Sequence, residues 1–265
     1  MEIITVSSFK GGTAKTSTTL NLGAALVRLH KKRVLLIDFD AQANLTTGLG
    51  YDPDTNDSLA PVLQGKKNIQ DVILETSLPG LSLIPADTWL ERIEVTEALA
   101  SDRYSHERLR ELLKPLTDYD VILIDTPPSL CWLTESALIA SEYALVAATP
   151  EFYSVKGLER LSQFMNNISE RHSLQVLGVI LSFWNPRGQS NETFLEVIET
   201  TFPGKILSSK VRRDLEVAKA SVHGKPILQT APKSRAAEDY ASAAKELLSR
   251  LRSCKTVRKG KKLDV

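Results

Sequence analysis

Two lysines, a threonine and two aspartates, each beside a short apolar run, are the residues of this chain best suited to chemistry. Lys10-Gly11-Gly12-Thr13-Ala14-Lys15-Thr16-Ser17 follows the run from Glu2 to Ser7 and precedes a helix-like stretch from Thr18 to Leu26. A strand, a Gly-rich turn and a helix N-terminus together point several backbone N–H groups inward, and a lysine adds a flexible cation; this is what a β-phosphate needs. Lys15 is then expected on the β- and γ-phosphates, and the Thr16 hydroxyl on Mg²⁺. A second apolar run ends Ile37-Asp38-Phe39-Asp40, and a third ends Ile124-Asp125-Thr126-Pro127-Pro128. Apolar strands that finish in carboxylates place charge at the C-terminal edge of a parallel sheet, where the phosphate loop also opens. Asp40 is therefore expected within reach of the γ-phosphate. Asp125 ends a Walker B pattern, in which an aspartate holds Mg²⁺ through a water.

The loop departs from G-x-x-x-x-G-K-[ST], because Phe9 and Ala14 stand at the two glycine positions. Lys10-Gly11-Gly12 followed by Lys15-Thr16 resembles instead the deviant Walker A loop of the ParA/MinD superfamily. The stretch from Asp38 to Gly50 is similar to that family's switch I, D-x-D-P-Q-x-N-x-T, with Ala41 in place of the proline. Asp125 to Leu138 resembles D-x-P-P-S-L-x-x-L-T-x-N-A-L. Thr149-Pro150-Glu151 through Gly157-Leu158, His223-Gly224-Lys225-Pro226-Ile227 and Ser234-Arg235-Ala236-Ala237 through Tyr240 are similar to three further family stretches. The resemblance runs from Met1 to about Leu251.

What it implies is a ParA/Soj-type partition ATPase serving chromosome or plasmid segregation, with ATP and Mg²⁺ as cofactors. Lys10, Lys15 and Asp40 would be its catalytic residues, with Lys10 reaching across a nucleotide-sandwich homodimer to the partner's phosphates. Gly11, Gly12, Thr13, Ala14, Ser17 and Pro127 would complete the nucleotide site, and Thr16, Asp40 and Asp125 would serve the metal. Gly11 matches the position where the two subunit backbones pack closely. The implied partners are a ParB-like centromere-binding protein that stimulates hydrolysis and nonspecific double-stranded DNA. The alternatives are a MinD-like membrane-associated positioning ATPase, or a ParA-type ATPase that positions a cargo other than DNA. Neither N-K-x-D nor T-K-x-D occurs, which argues for ATP over GTP.

The elements that must position these residues follow from periodicity. Runs at 2–7, 33–38, 81–86, 120–125, 143–148, 175–182 and 205–208 are predicted strands, several apolar throughout, as in parallel sheets covered on both faces. Helices are predicted at 16–30, 69–75, 105–113, 134–140, 155–170, 192–200 and 236–251. The fold class is α/β: a doubly wound, mostly parallel sheet flanked by helices. With 265 residues and 42% hydrophobic composition, one large domain is expected over 1–252. Residues 253–265 are expected to be a mobile basic tail. The loop begins at Phe9, so the N-terminal helix-turn-helix domain of larger ParA proteins is not expected here. No signal peptide or membrane span is apparent, and Cys131 and Cys254 suggest neither a disulfide framework nor a metal site, so a cytoplasmic, nucleoid-associated protein is expected.

Net charge is only +1, so any DNA contact must come from a local patch. The richest stretch is 205–235, and Lys210, Arg212, Arg213, Lys219, Lys225 and Arg235 are its candidates. Within it the family pattern is altered: Glu216 stands where a DNA-associated arginine is frequent, and Arg212 replaces a proline near the adenine. Lys219 or the basic residues from Arg252 to Lys262 are expected to compensate. Trp89, Trp132 and Trp184 are read as core or interface aromatics.

Overall fold

In the computed structural model, residues 1–54, 58–95, 105–150, 155–188 and 191–261 are described. Their strands are β1 (Glu2–Ser7), β2 (Val34–Asp38), β3 (Leu74–Glu75), β4 (Leu81–Ile84), β5 (Val121–Asp125), β6 (Tyr143–Ala148), β7 (Gln175–Trp184) and β8 (Ile206–Arg212). Side chains along a strand point alternately to opposite faces, so runs that are apolar throughout must be covered on both. Val34 and Leu36 of β2 enter one cluster while Leu35 and Ile37 enter another. Val121 and Leu123 of β5 divide from Ile122 and Ile124 in the same way. On β6, Tyr143, Leu145 and Ala147 face the first cluster, and Ala144, Val146 and Ala148 face a third.

The strands form one sheet in the order β3-β4-β2-β5-β1-β6-β7-β8, with β3 antiparallel to β4 and every other pair parallel. The helices are α1 (Lys15–His30), α2 (Asn44–Gly48), α3 (Leu59–Leu63), α4 (Trp89–Val95), α5 (Arg108–Leu113), α6 (Trp132–Ala140), α7 (Val155–Ser169), α8 (Asn191–Thr201), α9 (Leu215–Val222), α10 (Ile227–Thr230) and α11 (Arg235–Lys261). α1 and α11 carry the first cluster, α3 to α6 the second, and α7 with α8 the third. The expected doubly wound class holds. β1 lies between β5 and β6, so the chain changes winding direction there, and a crevice opens beyond the C-terminal end of β1.

Three expectations about elements are corrected. The stretch 69–75 is a 3-10 turn at Ile69–Val72 followed by the short β3. The stretch 105–113 opens with a 3-10 turn, Ser105–Glu107, before α5. α11 continues ten residues beyond Leu251, so 253–261 is helical, and Lys255 Nζ contacts Glu2 Oε1 at 2.5 Å. Residues 262–265, and Glu151 to Ser154 of the Thr149 stretch, lie outside the described residues.

Two glycine contacts lock the loops of the C-terminal edge. Phe9 packs onto Gly157 of α7 so closely that a Cβ there would lie 2.1 Å from the ring. Gly224, at φ +62°, backs onto Gly50, at φ +84°, and a Cβ on Gly224 would lie 2.6 Å from the Gly50 Cα. Both obstacles to Gly224→Ala are backbone: a left-handed φ and a neighbouring main chain that no rotamer change relieves. Gly224→Ala is expected to destabilise the protein by about 1–3 kcal/mol in urea unfolding; an unchanged midpoint would refute this docking.

Candidate nucleotide-binding site

The phosphate loop is shaped by its backbone. Gly12 takes φ +78°, and Ala14, in the left-handed region at φ +61°, caps α1 without any side-chain hydrogen bond. The first turn of α1 contains no acidic residue. The free N–H groups and positive dipole of that turn are thus open toward the loop, the arrangement that receives an anion. Ser8 Oγ and Thr13 Oγ1 both donate to the Lys10 carbonyl, at 2.9 and 3.2 Å, and hold the loop closed. Lys10, Gly11 and Gly12 are exposed, whereas Thr13 and Lys15 are buried.

Asp38 and Asp125 are register partners at the ends of adjacent strands, and both are fully buried. Asp125 accepts from Thr16 Oγ1 at 2.6 Å and from Thr19 Oγ1 at 3.2 Å. Asp38 accepts from the Thr46 backbone N–H at 2.8 Å and its hydroxyl at 2.7 Å, which ties α2 back to the sheet. Asp40 is buried, and its Oδ1 accepts from the Gln42 N–H at 3.0 Å. Lys15 is the cation set among them: burial lowers its pKa, and the fields of Asp125 and Asp40 work against that shift. Burial raises Asp38 to about 7, with the neighbouring Asp125 adding to the shift, and burial raises Asp125 to about 6 despite its threonine donors and Lys15.

Three carboxylates against one ammonium leave negative charge in a desolvated site, and a divalent cation offsets such charge. The donor set also suits Mg²⁺, which keeps several waters and takes one or two protein oxygens plus phosphate oxygens. Accordingly, no group of three or more His, Cys, Asp or Glu side chains among the described residues is arranged as a protein-only metal cage. The chemistry this arrangement supports is binding of a nucleoside triphosphate at a P-loop.

A phosphate loop that runs from β1 through a Gly-rich turn into α1, beside two carboxylate-tipped strands on a doubly wound sheet, defines a P-loop nucleoside triphosphatase. A family model described as an AAA domain matches residues 1–176. A ParA family protein of Chlamydia trachomatis serovar D is 64% identical over 254 residues, covering 96% of this chain and 100% of the relative. The sporulation initiation inhibitor protein Soj of Bacillus subtilis is 35% identical, with 93% of this chain and 98% of Soj covered. A crystal structure of cobyrinic acid a,c-diamide synthase from Mycobacterium smegmatis, with bound ATP analogue and magnesium, superposes with a TM-score of 0.83 at 28% identity over 96% of each chain. The chain belongs to the ParA family of ATPases.

The structure brings Lys15, Thr16, Asp40 and Asp125 together around the start of α1, with Asp38 behind them. A cleft of about 730 Å³ opens along the same edge past β6, β7 and β8, lined among others by Thr149, Pro150, Phe183, Asn185, Arg213 and Arg235. The residues from Phe183 to Pro186 were not anticipated as site residues; the signal is an aromatic pair followed by Asn-Pro where an apolar strand ends. Phe183 adopts φ +54° and is 44% exposed, an unusual conformation for a bulky side chain, and the Arg213 guanidinium sits 5.9 Å from its ring.

The DNA candidates do not form one uniform surface. Arg212 is paired bidentately with Asp239, Nη2 to Oδ1 at 2.7 Å and Nε to Oδ2 at 2.9 Å, with Glu238 at 3.7 Å. Its charge is matched inside the fold, where it pins β8 to the start of α11. Lys219 pairs with Glu216 at 2.6 Å, and Lys210 lies 4.1 Å from the Trp184 ring centre. Arg213, Lys225 and Arg235 are exposed. Of the tryptophans, Trp132 is packed beside Phe39, whereas Trp89 is 50% exposed under the Arg92 guanidinium.

The raised Asp38 pKa has a sign. Unfolded, Asp38 ionises near 4; folded, it keeps its proton to about 7, so stability falls as pH rises between those values and levels off above them. Asp38→Asn keeps an acceptor for Thr46 without the charge. With chelator and no nucleotide, its thermal midpoint is expected to exceed the parent's at pH 8 and to approach it at pH 5. A variant equally displaced at both pH values would contradict the buried-charge account.

Proposed function

We propose that this protein is a partition ATPase whose ATP-bound homodimer binds nonspecific DNA and releases it when a ParB-like partner stimulates hydrolysis. The observation that carries the reading is the pair of lysines in one loop: Lys15 buried against Asp125 and Asp40, Lys10 exposed five residues earlier. Lys15 and the first N–H groups of α1 would hold the β- and γ-phosphates. Thr16 and Asp125 would hold Mg²⁺, which when bound neutralises charge on the phosphate oxygens. The Asp40 carboxylate would orient the attacking water. The cleft beside Phe183 and Arg213 is of a size to take the nucleoside, on the same edge as the loop.

Lys10 would complete the pocket of a second copy, so that ATP binding and pairing become linked equilibria. A steric detail is compatible with this: among the described residues, a Cβ on Gly11 would meet Pro128 Cβ alone, at 4.0 Å, an ordinary contact. The subunit itself therefore leaves room beside Gly11 for a second backbone to approach. DNA would be met by Arg213, Lys225 and Arg235, whose exposed cations can displace counterions. Among the described residues no helix is long and apolar enough to cross a bilayer.

Lys15→Ala is expected to abolish ATP binding in a fluorescent-nucleotide titration, and unchanged affinity would refute the loop assignment. Asp40→Ala is expected to hold an ATP-loaded dimer in light scattering, where a persistent monomer would contradict it. Arg213→Ala should weaken ATP-dependent DNA binding and lower its salt slope by about one; an identical mobility shift would place the surface elsewhere.

A further inference from the structure

Asp40 hangs from a relay of buried hydrogen bonds that runs back to β4. α2 begins at the left-handed Ala43 with no side-chain cap of its own, so the amides of its first turn need an acceptor from elsewhere. Asp38 supplies it from eight residues upstream: its Oδ2 accepts the Thr46 N–H at 2.8 Å and the Thr46 hydroxyl at 2.7 Å. Its Oδ1 accepts the Asp40 N–H at 3.3 Å. One carboxylate therefore holds both the backbone of Asp40 and the helix that follows it. The Thr46 hydroxyl in turn accepts the Ala86 N–H at 3.1 Å, just past the end of β4, so it both donates and accepts. Asp38 and Thr46 are fully buried. Phe39, between the two aspartates, is pinned separately: its N–H donates to the Asp125 carbonyl at 2.9 Å, and its ring lies against Trp132.

We infer that Thr46 is a positioning residue for hydrolysis: acting through Asp38, it fixes the direction in which the Asp40 carboxylate leaves the end of β2. Its hydroxyl proton is spent on Asp38, so its effect on a bound nucleotide is indirect. Asp40 is built to move with its anchor. Its Oδ1 accepts the Gln42 N–H at 3.0 Å and its carbonyl accepts the Ala43 N–H at 2.9 Å, so the corner from Asp40 to Ala43 is one closed unit hung on Asp38 and Thr46. An attacking water tolerates little displacement, and a misplacement of about 1 Å can cost roughly a hundredfold in rate. The groups that would grip the phosphates are held by a different carboxylate: Thr16 and Thr19 of α1 donate to Asp125, not to Asp38. Loss of the Thr46 hydroxyl therefore reaches the rate of hydrolysis and spares nucleotide affinity. The inference rests on the proposed role of Asp40 in orienting water; the hydrogen bonds that place Asp40 do not.

The test combines amide hydrogen exchange with single-turnover ATP hydrolysis on the full chain. Thr46→Val removes the hydroxyl and keeps the shape, whereas Thr46→Ser keeps the hydroxyl. Asp38→Asn breaks the same relay from the other side, because an amide turned to accept from Thr46 presents its Nδ2 donor to the Asp40 N–H. Without nucleotide, exchange across residues 40–47 is expected to be about tenfold faster in Thr46→Val and Asp38→Asn, with β1 and β5 unchanged and Thr46→Ser close to wild type. With ATP and Mg²⁺, both variants are expected to hydrolyse at least about tenfold more slowly at unchanged fluorescent-nucleotide affinity, and Thr46→Ser to restore the rate. Ser58→Ala removes a buried hydrogen bond to Asp87 without touching Asp38, and is expected to lower the thermal midpoint while leaving the rate intact. Placed on Asp40→Ala, Thr46→Val is expected to slow hydrolysis no further, since the group it positions is gone. A wild-type rate in Thr46→Val and Asp38→Asn, affinity lost in step with rate, or an equal further loss in the Asp40→Ala background would each overturn the inference. Should Thr46→Val not fold, Asp38→Asn against Thr46→Ser gives the same reading. An Asp40→Ala protein that hydrolyses normally would refute the proposed role of Asp40 and this inference with it; normal rates in the relay variants beside a slow Asp40→Ala would refute this inference alone.

Discussion

Desolvation of the charges around Lys15 governs this structure. Asp38 and Asp125 cap adjacent strands in register, Asp40 follows two residues later, and one buried ammonium faces them. Burial dominates their neighbours' fields, since both Asp38 and Asp125 are displaced upward although each accepts two or more hydrogen bonds. A site of this kind costs stability by itself and regains it from whatever cation and phosphate it binds, so ligand affinity and fold stability are coupled. The surrounding framework exists to hold that charge: Thr16 and Thr19 on Asp125, Thr46 on Asp38, and Asn21 Oδ1 receiving the Ile227 N–H so that α1 and α10 stay in register.

Much of this was legible in sequence because it is local or periodic. Strands buried on both faces read as unbroken apolar runs, and the carboxylates that end them mark the functional edge without any knowledge of packing. The crevice beyond β1 follows from alternation of strands and helices once a phosphate loop is recognised.

What was illegible depends on contacts between distant residues. Arg212 looked like a surface cation, because nothing near it in sequence announces that Asp239 will take its guanidinium and its backbone N–H. The short helices α2, α9 and α10 are too brief to show a clear period and are held by tertiary anchors, such as Asp38 on Thr46, Asp214 accepting from the Ala236 N–H and Asn21 accepting from the Ile227 N–H. The end of α11 lacks apolar periodicity beyond Leu251, yet it stays helical where Cys254 packs against the first cluster and Lys255 meets Glu2. Phe183 carries no sequence mark of its left-handed backbone.

The two edges of the sheet are joined by the same two helices, and this decides how they can communicate. α1 begins at the phosphate loop and ends at His30; α11 begins beside the cleft and passes the start of β1. Each is fastened at its first end, α1 by Thr16 and Thr19 to Asp125, and α11 by Asp239 to Arg212. They pack against each other over buried Leu22, Leu26, Ala243, Ala244 and Leu247. Packed struts of this kind carry the position of the phosphate loop through the core to the opposite edge of the sheet.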